Sequence, residues 1–101
     1  MKYSLIFSQL ASEDLTEILG WYKSQNIIGL DKRFIEDISK SLKRIETNPE
    51  AHSLVYKNIR KILLKSFPYK LLYYEDNLSR EVHIIGVIHQ SRDPKVWKKR
   101  I

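Results

Sequence analysis

The sequence predicts a single α+β domain with the element order β-α-α-β-β-β, in which two N-terminal helices pack on a small, mainly antiparallel sheet and a short helix ends the chain. Three observations support this prediction. A short segment of period two begins the chain, two amphipathic stripes of helical period follow, and three runs rich in β-forming residues fill the C-terminal half. No repeat, linker or low-complexity stretch divides residues 1–101, which indicates one domain.

The first strand is predicted over residues 2–7, because Tyr3, Leu5 and Phe7 occupy alternate positions. Ser8 then provides a helix N-cap, since a serine hydroxyl can accept a hydrogen bond from a backbone N–H of the first turn. Apolar residues recur behind it at three- and four-residue steps, as one face of an amphipathic helix requires. These residues are Ala11, Leu15, Ile18, Leu19 and Tyr22.

A second helix is predicted after a break at Asn26 and Gly29. Its apolar stripe comprises Phe34, Ile35, Ile38, Leu42 and Ile45. The helix should end at Asn48-Pro49, because proline disfavours helical geometry in the residue before it and has no N–H to donate. The paired acids of both helices are predicted to lie on solvated faces: Glu13 and Asp14 in the first helix, Glu36 and Asp37 in the second.

Three strands are predicted at 59–65, 69–75 and 81–89. Short turn-forming segments separate these runs, which indicates an antiparallel meander. The last run is apolar on both of its faces, so we expect a central strand that is covered on both sides. Pro94 can then start a short terminal helix over 95–101.

The composition excludes several classes of protein. The chain has no cysteine, which excludes disulfides, thiolate zinc sites and catalytic thiols and is typical of a cytoplasmic protein. Its three histidines have no clustered partners, so no metal site is expected, and no glycine-rich phosphate loop or other cofactor motif is present. No apolar run approaches the ~20 residues that a membrane-spanning helix needs. A chain of this length holds one core, so function is expected on a surface or in a shallow groove.

Positive charge is concentrated in the C-terminal half. Residues 1–50 contain seven basic and eight acidic side chains, whereas residues 51–101 contain eleven basic and four acidic ones. The second half therefore has a net charge of +7 within a chain of +6. This asymmetry predicts that the C-terminal half contacts an anionic partner.

Basic and aromatic side chains alternate along this half, an arrangement typical of surfaces that bind nucleic acid or another anionic target. The candidate binding residues are Lys57, Arg60, Lys61, Lys65, Lys70, Tyr73, Trp97, Lys98 and Arg100. Two structural interpretations stay open. Lysines also protect edge strands from aggregation, and the Trp97 ring could close one end of the core instead of anchoring a partner.

A candidate catalytic pair stands at the end of the last predicted strand. His89 could act as a general acid or base near neutral pH, and Arg92 could stabilise negative charge on a phosphate. The alternative is that both residues only shape the turn and the start of the last helix. The sequence offers no second convincing acid–base partner, so both interpretations stand.

An ordered set of short elements runs through the whole chain. It comprises Ala11 with Asp14-Leu15, Trp21-Tyr22, Arg33-Phe34, Asn48-Pro49, Arg60, the segment FPYKLLYY from Phe67, and the segment HQSRDPKVW from His89, with Arg100 after it. In these elements the chain resembles the RelE/ParE superfamily of bacterial toxins. The resemblance implies the fold predicted above. It also implies a toxin of a type II toxin–antitoxin module that a cognate acidic antitoxin neutralises.

Two activities divide this superfamily. ParE-like members, the plasmid-stabilisation branch, inhibit DNA gyrase, whereas RelE-like members are ribosome-dependent mRNA endoribonucleases (mRNA interferases) that need no metal. The Phe-Pro-Tyr and His-x-x-Arg-Asp-Pro segments are similar to the ParE branch, which implies gyrase as the target. The nuclease alternative would use His89 and Arg92. It is weakened by Lys70, because some nuclease members have an arginine there and lysine cannot bind a phosphate in bidentate fashion. A third possibility is an inactive or repurposed basic nucleic-acid-binding module.

Overall fold

The computed structural model describes residues 3–101 as one five-stranded sheet with three helices. The strands are β1 (Ser4–Phe7), β2 (Leu54–Tyr56), β3 (Ile59–Leu63), β4 (Tyr69–Asp76) and β5 (Glu81–His89). The helices are α1 (Gln9–Ser24), α2 (Leu30–Thr47) and α3 (Lys95–Lys98), and a 3₁₀ turn spans Pro49–Ala51. The sheet order is β1-β5-β4-β3-β2, with β1 parallel to β5 and every other pair antiparallel. The predicted α+β class is confirmed.

Lys2, the first residue of the predicted first strand, lies outside the described residues. Other details differ from the prediction. The strand predicted over 59–65 ends at Leu63. The short edge strand β2 was not predicted, because three residues are too few to show a period and β2 forms only by pairing irregularly with β3. The last helix has only four residues and ends at Lys98, three residues before the predicted end at 101.

The helix boundaries follow from the residues that stand there. The Ser8 hydroxyl accepts a hydrogen bond from the backbone N–H of Ala11 at 3.1 Å, so the predicted N-cap is confirmed. Asn26 and Gly29 have φ angles of 56° and 79°, left-handed values that interrupt the helical path between α1 and α2. Pro49 then follows the C-cap of α2 and begins the 3₁₀ turn.

Both faces of the sheet are covered, as predicted for a central last strand. On the helix face, Phe34 and Ile38 of α2 pack against Tyr73 and Ile84. On the opposite face, Trp97 packs in a second cluster with Ile59, Leu72, Ile85 and Ile88. A β-bulge in β5 allows this arrangement, because Leu72 pairs with Gly86 and Tyr73 with Ile84. The residue between them is left without a partner on β4, and the alternation of β5 shifts by one position.

The prediction of a fully solvated outer face on α2 is wrong for Asp37. Its side chain is 7% exposed, and its two carboxylate oxygens accept hydrogen bonds from the backbone N–H groups of Lys65 and Ser66 at 3.2 and 2.8 Å. Ile35, predicted in the apolar stripe, is instead 39% exposed. The helix is rotated so that Asp37 holds the β3–β4 loop, a tertiary contact that helical period alone does not predict.

Tyr73 should make the fold sensitive to alkaline pH. It is fully buried, its hydroxyl donates to the Pro49 carbonyl at 2.5 Å, and burial raises its pKa. An unfolded tyrosine ionises near pH 10. Above that pH the unfolded chain therefore releases a proton that the folded chain retains, and Tyr73 should lower the free energy of unfolding by about 1.4 kcal/mol per pH unit.

We expect Tyr73→Phe to remove this part of the alkaline destabilisation, at a cost of about 1 kcal/mol at neutral pH for the lost hydrogen bond. Urea titrations between pH 8 and 12 would measure both effects. Tyr74→Phe, on the same strand but facing the other way, is the matched control. Equal alkaline slopes for Tyr73→Phe and the unmodified protein would contradict this prediction.

Candidate functional site

A groove of about 790 Å³ opens between α1, the end of β5 and the C-terminal segment. Its walls combine apolar and aromatic side chains with a few charged ones; they include Trp21, Tyr69, Val87, His89, Arg92 and Val96. Trp21 is 58% exposed, which leaves much of a large apolar ring open to a partner. The groove therefore brings together both predicted catalytic residues, His89 and Arg92, beside exposed apolar surface.

The His89 ring is held from two sides. It lies edge-on to Tyr69 with ring centroids 5.4 Å apart, and its Nδ1 accepts the backbone N–H of Ser91 at 3.1 Å. The Ser91 hydroxyl is 2.8 Å from the same nitrogen. Because a backbone N–H points at Nδ1, the neutral imidazole carries its proton on Nε2. Within residues 3–101, Nε2 has no hydrogen-bond partner, so it is available to a ligand.

Arg92 is held by its backbone rather than by its side chain. Its N–H donates to the His89 carbonyl at 3.0 Å, and its guanidinium forms no ion pair with any other part of the described chain. Asp93 does not pair with it; its carboxylate accepts the N–H of Lys95, the first residue of α3, at 2.9 Å. The groove thus presents an imidazole and an unpaired guanidinium, which can bind an anionic or carbonyl-bearing group.

Asp14 and Arg100 form an ion pair at the back of the groove. Arg100 Nη1 and Nη2 lie 2.7 and 3.0 Å from the two Asp14 carboxylate oxygens, and both side chains are less than one-fifth exposed. Asp14 also accepts the Val87 N–H at 3.0 Å, and Arg100 donates to the Ile85 carbonyl at 2.9 Å. The pairing of β1 with β5 ends at Ile84, so the backbone groups of β5 beyond it have no partner on β1. The ion pair forms hydrogen bonds with two of them.

The prediction of a solvated face is therefore wrong for Asp14, which binds the β5 backbone and Arg100. Arg100, a predicted binding residue, is little exposed, and its guanidinium is already bound to Asp14 and to the Ile85 carbonyl. A signal for Asp14 was present in the sequence. Its position lies three residues after Ala11 and four before Ile18, within the apolar stripe of α1. No comparable pattern marks Arg100, whose partner is 86 residues away.

Three other predicted binding residues have structural roles. Arg60 Nε contacts both carboxylate oxygens of Glu75 at 3.1 and 3.2 Å, and its Nη1 donates to two backbone carbonyls, those of Glu50 and His52. Tyr73 is fully buried in the core, and Trp97 is 2% exposed. Tyr73 and Trp97 are therefore not accessible to a partner, and the Arg60 guanidinium, which is partly exposed, is already bound within the domain. For Trp97, the interpretation of a ring that closes the core is the correct one.

Two predicted lysines lie on the sheet face opposite α1 and α2. Lys61 and Lys70 share this face with Leu72, because Lys61 pairs with Leu72 and Lys70 lies two residues before it on β4. The two ammonium-bearing side chains are therefore diagonal neighbours. Burial, and then the positive charge of Lys61, lower the pKa of Lys70. The proximity of the two ammonium groups is unfavourable, and a bound anion would relieve it.

Two further predicted lysines converge on one aromatic ring of the same face. The ammonium of Lys98 is 4.5 Å from the centroid of Tyr56, and that of Lys57 is 5.2 Å from it. Tyr56 itself packs edge-on against Trp97. Lys65 is separate from this group, because it lies exposed in the β3–β4 loop near Asp37. We call Lys57, Lys61, Lys70 and Lys98 the lysine face.

The described residues include neither a metal centre nor a helix that could span a membrane. Nowhere in residues 3–101 do three His, Asp or Glu side chains come together in a way that could hold a metal ion. Helices of the described chain are all too short or too polar to cross a membrane. The groove and the lysine face are the two candidate regions, because they hold the accessible predicted site residues other than Lys65.

Comparisons with known proteins agree with the fold. A family model described as the ParE toxin of the type II toxin–antitoxin system parDE matches residues 5–94. No curated protein matches the chain. A solved structure of the chromosomal ParDE TA system from P. aeruginosa is 22% identical, with a TM-score of 0.69, and the alignment covers 86% of this chain and 95% of that chain.

Two E. coli structures show the same fold. The isolated E. coli RelE toxin is 22% identical, with a TM-score of 0.63 and coverage of 96% of this chain and 94% of that chain. The toxin in the intact E. coli RelBE toxin–antitoxin complex is 24% identical, with a TM-score of 0.63 and coverage of 89% and 99%. At such identities the structural likeness establishes the fold. The family match begins at the second residue of β1 and includes α1, α2 and the other four strands.

Proposed function

Because the chain belongs to the family of ParE toxins of type II toxin–antitoxin systems, we propose that it inhibits DNA gyrase and is neutralised by a cognate acidic antitoxin. The observation that carries this proposal is the family match over residues 5–94, which agrees with the resemblance found in the sequence. Gyrase is the target that the ParE branch implies. The groove supplies apolar surface for contact with a protein, notably the exposed Trp21 ring.

The geometry around His89 supports an inhibitor more than a nuclease. A catalytic histidine usually needs a partner that orients it and supports its charged form. Among residues 3–101, no carboxylate is hydrogen-bonded to His89, and Nδ1 accepts the N–H of Ser91 instead. The nearby Asp14 carboxylate is already bound to Arg100. The groove is thus better suited to binding than to proton transfer.

A cognate antitoxin is supported by charge and by the relatives. The E. coli RelE toxin, which shares this fold, forms a complex with its antitoxin RelB. The C-terminal half of this chain carries a net charge of +7, which complements an acidic partner. Apolar contacts should supply most of the affinity, and charges at the rim should mainly raise the association rate.

One observation favours ribosome-dependent mRNA cleavage as a second candidate function. His89 and Arg92 line the same groove, and the Nε2 atom of His89 is available to a substrate. In such a groove an imidazole can transfer a proton and a guanidinium can stabilise a phosphate.

The two candidates differ in their dependence on His89. Under the proposed function, the purified protein should impair DNA supercoiling by gyrase, and its induction should trigger DNA-damage signalling while ribosome-bound mRNA stays intact. His89→Gln should change gyrase inhibition little, because glutamine still forms hydrogen bonds at this position and no proton transfer is required. We expect a small acidic open reading frame beside this gene, and co-production of its product should restore growth.

The nuclease candidate predicts the opposite pattern. Codon-positioned cuts should appear in ribosome-bound mRNA, and His89→Gln should lower cleavage by about 10²–10⁴-fold. That result, together with intact supercoiling by gyrase, would overturn the proposed function. Arg92→Lys is a useful companion variant, because it keeps the charge but loses bidentate binding of a phosphate.

A further inference from the structure

The lysine face concentrates positive charge that the chain itself does not neutralise. Among residues 3–101, none of its four ammonium groups forms an ion pair, whereas Arg60 and Arg100 are each bound to a carboxylate. Lys57 and Lys98 share the Tyr56 ring, and Lys61 and Lys70 are diagonal neighbours. Bringing like charges together costs free energy, which a bound polyanion would recover.

The positive and negative side chains of this sheet face lie at different positions along the strands. Lys70 pairs with Leu63, which lies four residues from Ile59 on β3. At 3.3 Å per residue, the lysines extend along about 13 Å of this strand. Acidic residues of this face lie beyond that stretch, where Asp76 pairs with Glu81 next to the β4–β5 turn. Asp76 accepts the N–H groups of that turn, and Glu81 contacts His83. The carboxylates are thus engaged locally and leave the lysines free.

The aromatic rings of this face are already occupied. Tyr74 stacks on His83 with centroids 4.9 Å apart and planes 11° apart, and Tyr56 holds two lysine ammonium groups and the edge of Trp97. Trp97 is buried. Recognition of single-stranded nucleic acid relies on rings that are free to stack on bases. A face with unpaired cations and occupied rings is suited instead to the phosphates of a duplex, whose bases are already stacked.

We propose that the lysine face, Lys57, Lys61, Lys70 and Lys98, binds the phosphate backbone of duplex DNA without sequence preference. The inference deepens the proposed function and rests on it for its biological setting, because gyrase acts on duplex DNA and an inhibitor bound to it can contact both components. The groove and the lysine face would then have separate tasks. The groove binds protein, and the lysine face holds the DNA.

The test uses the full-length protein and a fluorescent 20-base-pair DNA duplex, with binding measured by anisotropy over a series of salt concentrations. The double variant Lys61→Gln/Lys70→Gln should lose two phosphate contacts. The slope of the logarithm of its association constant against the logarithm of the salt concentration should fall in magnitude by about 1.8. Its affinity at 0.1 M salt should fall roughly 50-fold. Lys23→Gln/Lys32→Gln is the matched control, because it removes the same charge from exposed, unpaired positions on the helices.

The control should retain nearly the affinity and the salt slope of the unmodified protein. An equal loss in both double variants would show that net charge alone attracts DNA and would overturn the inference. Tighter binding of a 20-nucleotide single strand of DNA or RNA than of the duplex would overturn it as well. If Lys61→Gln/Lys70→Gln still inhibits gyrase and binds the duplex as tightly as the unmodified protein, the lysine face is not the DNA-binding surface. The proposed function would be unaffected by that result. Duplex binding that depends on this face, in a protein that does not inhibit gyrase, would refute only the proposed function.

Discussion

Replacing Arg100 by alanine should lower the free energy of unfolding by about 3 kcal/mol, because it leaves the Asp14 carboxylate without its charge partner in a poorly solvated position. The same substitution removes the donor to the Ile85 carbonyl, at a part of β5 that β1 does not cover. Both losses fall on one backbone segment beside the groove. Urea or thermal unfolding followed by circular dichroism would measure the change.

Arg100→Lys separates charge from geometry in this ion pair. Lysine keeps the charge but cannot contact both Asp14 oxygens and the Ile85 carbonyl with one planar group, so an intermediate loss of stability is expected. Lys40→Ala, which breaks an exposed pair with Glu36 on α2, is the control and should cost no more than about 0.5 kcal/mol. A loss of stability in Arg100→Ala as small as that of the control would show that the ion pair does not stabilise the fold.

The second large effect is expected in the core beneath α2. Ile38 is 3% exposed and packs in the cluster between α2 and the sheet. Its replacement by alanine should cost about 2–5 kcal/mol, because it removes buried apolar atoms and leaves a cavity. A domain of this size has a total stability of about 5–15 kcal/mol, so this single change is a large fraction of it.

Ile38→Val keeps the test measurable if the alanine variant does not fold. Losing one methylene should cost about 0.5–1.5 kcal/mol, between the effects of Ile38→Ala and of the exposed control Lys40→Ala. Denaturant titrations of the three variants should therefore give a graded series. Equal midpoints for Ile38→Ala and Lys40→Ala would show that the buried face of α2 is assigned wrongly.

The positions of the two candidate regions have a common cause. The C-terminal segment after β5 contributes Arg92 and Val96 to the groove, Trp97 to the second core cluster, and Lys98 to the lysine face. Because Trp97 is buried and Arg100 is bound to Asp14, this short segment is fixed at two points. A segment too short to fold alone can thereby contribute to a candidate region on each side of the sheet.

Local pattern was sufficient to predict the α+β class, both long helices, the three long strands and the family resemblance. The Ser8 cap, the break at Gly29 and the stop at Pro49 are local features, because each depends on the hydrogen bonds or dihedral angles of a few neighbouring residues. The apolar character of both faces of β5 likewise predicted its central place, since only a strand covered on both sides can bury so many apolar residues.

Only the tertiary structure decided which charged and aromatic residues are accessible. Arg60, Tyr73 and Arg100 look like surface residues in the sequence, and their partners lie 15, 24 and 86 residues away. Composition and period contain no information on such distant pairs. Whether a polar side chain is solvated or bound depends on what the folded chain places beside it, and a polar group can be buried only where a partner replaces the hydrogen bonds of water.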